Sequence, residues 1–172
     1  MVQSLLERME RWLVAHRPGY FARLQPGVTN VQLNAFEVQF SLKLPDAFRQ
    51  LYLWRNGQAD GNSESLQMGR MFSPLESVSD TKELLDGMIG SDFDRPEWWR
   101  GDWVPFLSNG GGSHLCVDVA PEDGGRVGQL VAFWKADEDR DIEYPSVEAW
   151  LADLVESMES GELELLQLHK GT

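Results

Sequence analysis

The residues whose chemistry stands out are gathered in one stretch, FLSNGGGSHLCVDVAP at 106–121. Three consecutive glycines precede Ser113, His114, the single cysteine Cys116 and Asp118. A phosphate cradle would need spaced glycines, a lysine and a hydroxyl leading into a helix. Here the glycines lead into a strand pattern, and the nearest lysine in sequence is Lys135. Spacing therefore favours a turn.

Metal and nucleophile chemistry fare no better. Side chains alternate along a strand, so His114, Cys116 and Asp118 share one face and Leu115, Val117 and Val119 the other, which points to the core. Histidine, thiolate and carboxylate are zinc donors. Yet the other histidines, His16 and His169, lie near the termini, and CxxC and HExxH patterns are missing. No metal or cofactor is expected. A hydrolase or transferase using Cys116 with His114 needs a direct contact, and two residues along a strand span about 7 Å. Cys116 reads better as a small buried hydrophobe. Asp118 sits where a strand prefers an apolar residue, so it is either hydrogen-bonded within the 121–125 turn or lines a partner-facing groove.

Two further segments carry charge and aromatic rings. SDFDRPEWWRGD (91–102) offers Asp92, Asp94, Glu97, Trp98 and Trp99, and ADEDRD (136–141) places Asp137, Glu138, Asp139 and Asp141 around Arg140. The acids lack the glycine and terminal glutamate of a calcium loop. Tryptophan is enriched at interaction hot spots, although a plug over the core is the competing reading for Trp98 and Trp99. With Asp118 and Glu122, these residues are the candidate partner contacts.

The elements that must position them follow from periodicity. Val2, Leu5, Leu6, Met9 and Leu13 form one helical stripe that Pro18-Gly19 ends, and a loop runs through Gln25-Pro26-Gly27. Thr29 and Gln32 have capping-box spacing at the head of a second helix. LPDAFRQLYLWRNG reads as a third helix, buried on two sides, with Asn56-Gly57 as a left-handed stop. LQMGRMF reads as a strand. Ser73-Pro74-Leu75-Glu76 has capping-box spacing before a helix with Val78, Leu84, Leu85, Met88 and Ile89 on its apolar face. WVPFL, HLCVDVA, RVGQLVAFW and IEY follow as strands, and Ser146 caps a last helix that Gly161 stops.

Helices, then adjacent strands, then a helix give an α+β class: a mostly antiparallel sheet flanked by N-terminal helices and a C-terminal helix. The 172 residues suit a single domain over 1–172. The charge of −13 is uneven: 1–59 carry +3 and 60–172 carry −16. Such an acidic portion repels nucleic acid and suits a basic protein partner. The amino-terminal residues resemble neither a signal peptide nor a membrane span, and one cysteine suits the cytoplasm. Oligomeric state is not encoded in these patterns.

Four blocks, LPDAFRQLYLWRNG (44–57), WVPFLSNGGGSHLCVDVAP (103–121), VGQLVAFW (127–134) and SVEAWLADLVESM (146–158), resemble in order those of the SUKH superfamily of Smi/Knr-like domains. The resemblance covers roughly residues 30–160. It implies an α+β domain without cofactor or known catalysis that acts through protein–protein contact. Without the long extensions of the fungal regulators, the chain is expected to be a bacterial immunity protein that occludes the active site of a cognate basic toxin, such as a nuclease. The alternative is a regulatory scaffold that binds cellular proteins.

Overall fold

The computed structural model describes residues 1–163. His169 lies outside the described residues. Six helices are present among them: α1 (Val2–His16), α2 (Pro18–Ala22), α3 (Asn30–Phe40), α4 (Asp46–Trp54), α5 (Leu75–Gly87) and α6 (Val147–Glu159). Strands β1 (Leu24–Pro26) and β2 (Arg55–Gln58) form a two-stranded antiparallel sheet. Strands β3 (Met71–Phe72), β4 (Trp103–Ser108), β5 (His114–Asp118), β6 (Leu130–Phe133) and β7 (Ile142–Tyr144) form an antiparallel meander in that order. The fold is α+β, as the order of elements implied.

Local signals that depend only on neighbours hold. Thr29 and Gln32 make a reciprocal capping box, and Ser146 accepts the Ala149 N–H at 3.0 Å. Gly161 follows α6 with φ of 79°. The inward stripe of α6 (Val147, Trp150, Leu151, Leu154, Val155 and Met158) is buried, and so is the stripe of α1 formed by Val2, Leu5, Leu6, Met9 and Leu13.

Several boundaries differ from the sequence expectation. LQMGRMF is a strand only at its end, because Met68 and Gly69 both have positive φ and make a tight turn closed by Gln67 and Arg70. Pro18 ends α1 but also opens α2, and the 25–27 loop begins as β1. Asn56-Gly57 is not a helix stop; α4 ends at Trp54 and both residues belong to β2. Ser73 caps nothing, and Pro74 is the N-cap of α5. Asn56 does that work from afar: its Oδ1 accepts the Leu75 N–H at 2.7 Å and its Nδ2 donates to the Glu76 carboxylate at 3.1 Å. Leu84 (66% exposed) and Ile89 face outward, whereas Lys82 is fully buried.

The sheet is covered on both faces. Leu115 and Val117 join the main core with Phe48, Trp150 and the stripes of α1, α4 and α6. Pro105 lies within β4 at a register shift, where a proline is tolerated because a bulge needs no ladder hydrogen bond there. Phe106 and Leu107 are consecutive, yet both enter the main core. On the opposite face, Cys116, Trp103, Val131, Phe133, Leu85 and Trp99 form a second cluster, with Met88, Phe93 and Trp98 packed against it.

Lys82 holds that second cover in place. Its ammonium pairs with Asp86 at 3.1 Å and donates to the carbonyls of Gly101 at 2.6 Å and Trp103 at 3.1 Å. Asp86 also accepts from the Trp99 indole at 2.8 Å. A buried ammonium is tolerated here because three acceptors replace its hydration.

Candidate interaction surface

The glycine triplet is a turn. Asn109 Oδ1 accepts the N–H groups of Gly111 at 2.8 Å and Ser113 at 3.0 Å, and Gly110 and Gly112 have positive φ. Ser113 Oγ accepts the Lys135 N–H at 3.0 Å, which pins this turn to the end of β6.

His114, Cys116 and Asp118 do share the outer face of β5, but each has a separate task. Cys116 is fully buried, and desolvation raises its thiol pKa, with Lys82 the largest opposing charge. No hydrogen bond joins it to His114 among the described residues. Desolvation lowers His114 to about 4. Its ring lines a groove of about 790 Å³ with Leu84, Met88, Phe93 and Lys135. Asp118 is 4% exposed and accepts from Ala120 N and from Gln129 Nε2, both at 3.2 Å. Its donors are Ala120 and Gln129 rather than the 121–125 turn, and its carboxylate is committed to holding the β5–β6 connection.

The two acidic segments meet over the outer face. Arg95 Nη1 donates to Glu138 Oε2 at 2.9 Å. Arg140 Nε donates to the Trp98 carbonyl at 3.0 Å, and its Nη1 donates to the carbonyls of Asp137 at 2.7 Å and Asp139 at 2.6 Å. The Arg140 guanidinium lies 4.8 Å from the Trp98 ring centroid and 4.7 Å from that of Phe133. Desolvation is the largest influence on it and lowers its pKa.

Asp92, Asp94, Glu97, Asp137, Glu138 and Asp139 are therefore exposed on two loops that arginines join, with Trp98 half-buried beneath. Trp99 is a correction: at 1% exposure it plugs the outer cluster, edge-on to Trp103 and Phe133, and presents nothing to a partner. Glu122 sits at the far end of the face, paired with Arg100. Sequence reasoning missed Arg95, Arg100, Arg140 and Lys82. The signal available for the arginines was their position inside acidic runs, where like charges need an internal counter-ion.

Among the described residues, no group of three or more His, Cys, Asp or Glu side chains could hold a metal ion, and no helix is long and apolar enough to cross a membrane.

Fold and surface together define a class: an antiparallel meander backed by helices on one side, with α5 and the charged loops fastened over the other. The sequence places it further. A model of the SMI1 / KNR4 family (SUKH-1) matches residues 27–153, and the chain belongs to that family. It is 26% identical to a Glucan synthesis regulatory protein of Neurospora crassa over 93% of this chain and 39% of that protein. It is 23% identical to KNR4/SMI1 homolog 2 of Debaryomyces hansenii, over 96% of this chain and 37% of that protein. With the Cell wall biosynthesis/cell cycle regulator smi1 of Schizosaccharomyces pombe it shares 21% identity over 93% of this chain and 36% of that protein. The chain thus spans less than two-fifths of the length of these relatives.

Proposed function

We propose that this chain is a regulatory protein-binding domain whose paired acidic loops, 92–97 and 137–139, engage a basic surface of a cellular partner. The observation that carries this reading is the joining of the loops by Arg95 and Arg140, which makes one acidic surface from segments about forty residues apart. Exposed carboxylates of one sign speed encounter with a basic partner and suppress acidic ones. Trp98 would add an aromatic contact where the loops meet.

The relatives' names speak of regulating glucan synthesis, cell-wall biosynthesis and the cell cycle, which supports the scaffold alternative. They give no support to a toxin as partner, so the expectation of an immunity protein gives way to regulation. The buried, protonated thiol of Cys116 offers nothing to a hydrolase or transferase. It suits a reducing compartment such as the cytoplasm.

Site-specific photo-crosslinking tests the reading. Crosslinkers replacing Asp94 or Glu138 are expected to trap the same partner, and one replacing Val38, exposed on α3, is expected to trap none. Adducts at Val38 with none at the two loop positions would overturn it.

A further inference from the structure

At the far end of the outer face lies a second cavity of about 300 Å³, with a lining of mixed polarity. Arg100, Trp103, Asp118, Glu122, Gln129 and Arg140 line it, as do Gly124 and Gly125. Three of these residues carry buried donors without a hydrogen-bond partner among the described residues: Trp103 Nε1, Arg100 Nε and Arg140 Nη2. Trp103 is itself only 4% exposed. Buried donors are almost always satisfied, and three around one cavity call for a shared acceptor.

The charge of the lining narrows what that acceptor is. Arg100 already pairs with Glu122 and Asp102, and Asp118 and Asp123 add further negative charge. Among the lining residues Arg100 and Arg140 stand against Asp118, Glu122 and Asp123, so the lining is net negative, which disfavours a phosphate or a second carboxylate. A neutral carbonyl oxygen meets the indole and guanidinium donors without that repulsion. The exposed Glu122 and Asp123 carboxylates at the rim accept hydrogen bonds. An amide supplies both halves, a carbonyl acceptor and an N–H donor. A sugar also does, but the buried Trp103 leaves no open ring face for stacking.

We infer that this cavity is a subsite for an amide group of a partner polypeptide, such as an Asn or Gln side chain, with its oxygen toward the Trp103, Arg100 and Arg140 donors and its nitrogen toward Glu122. The inference rests on the protein-binding reading and gives it a point of polar specificity beside the acidic loops. Arg140 connects the two, because it lines this cavity while holding the 137–139 loop to Trp98.

The test titrates the ¹⁵N-labelled full chain with propionamide, propionate and inorganic phosphate. Propionamide is expected to shift the Trp103 indole and the Gly124 and Gly125 amides saturably, and more tightly than either anion. Trp103→Phe, which keeps a buried ring, is expected to weaken binding about tenfold as read on the glycine amides. Arg100→Gln provides a second variant should the first not fold. Tighter binding of propionate or phosphate would overturn the amide assignment. Shifts that do not saturate would mean that the three donors hold structural water only, which also overturns it. Crosslinks at Asp94 and Glu138 without amide binding would sink this subsite alone. Amide binding without crosslinks would leave the subsite and sink the partner surface.

Discussion

The guanidinium of Arg140 lies over the ring of Trp98 and donates to the carbonyl of the same residue, 42 positions away. One side chain thus joins a tryptophan loop to an acidic loop, beside the Arg95–Glu138 pair that links the same two segments. Arg140→Met keeps the apolar stem but loses three hydrogen bonds to carbonyls. It is expected to cost about 2 kcal/mol in urea unfolding and to speed amide exchange in 92–99 and 137–141. Unchanged exchange in both loops would show that they are held by other means.

The second prediction concerns the tertiary cap. Asn56→Ala leaves the Leu75 N–H and the Glu76 carboxylate without their partner, and is expected to destabilise the protein by about 1–2 kcal/mol. Ser73→Ala, which removes the sequence-predicted cap, is expected to change stability by less than about 0.5 kcal/mol. Equal effects in thermal unfolding would restore Ser73 as the cap.

His114 gives a pH dependence of definite sign. Its folded pKa, about 4, lies below the unfolded value of about 6.5. Below pH 6.5 the unfolded chain therefore takes a proton that the folded chain refuses. The neutral ring's contribution is complete above that pH and is lost as pH falls towards 4. Compared with His114→Phe, the wild type is expected to lose about 2 kcal/mol more stability between pH 7 and pH 4.5. Parallel pH profiles of the two proteins would show that this histidine is solvated.

Cys116 is expected to label with iodoacetamide only as fast as the protein opens. Burial both shields the sulfur and holds it as the unreactive thiol. Labelling of native protein at neutral pH, at the rate of a free thiol, would revive a nucleophilic role. Cys116→Ser should cost about 1–3 kcal/mol because a hydroxyl there has no partner, whereas Cys116→Val should be tolerated better.

Once a partner is in hand, neutralising Asp137, Glu138 and Asp139 together is expected to slow association at low salt and flatten its salt dependence. Dissociation should change little, since exposed rim charges act on encounter. An unaltered association rate would remove this loop from the interface.

Much of the frame is legible in the sequence. The 29–32 box, Ser146 as cap and the alternation in HLCVD each rest on residues within four positions of one another, where backbone geometry alone sets which side chains meet. The first part of the strand read into LQMGRMF and the stop read into Asn56-Gly57 fail for a shared reason. A glycine tells that the chain turns, but not which distant element the turn must serve. The candidate surface was legible as a list of acids and tryptophans, and only partly as a surface, since Trp98 and Trp99 are neighbours with opposite fates.

By itself, then, the sequence determined the α+β class, the order of the longer helices and of the strands from Trp103 onward, most caps and which face of β5 meets the main core, because periods of two and 3.6 act locally. Tertiary structure decided that the other face is also buried, with Trp99 and Leu85 packed over Cys116, Trp103 and Phe133. It also decided that Arg95 and Arg140 join loops 43 and 42 residues apart, and that Lys82 lies inside. These arrangements depend on partners brought close only by the assembled sheet. An arginine between acids or a lysine on a helix carries no local mark of the carbonyl it will meet.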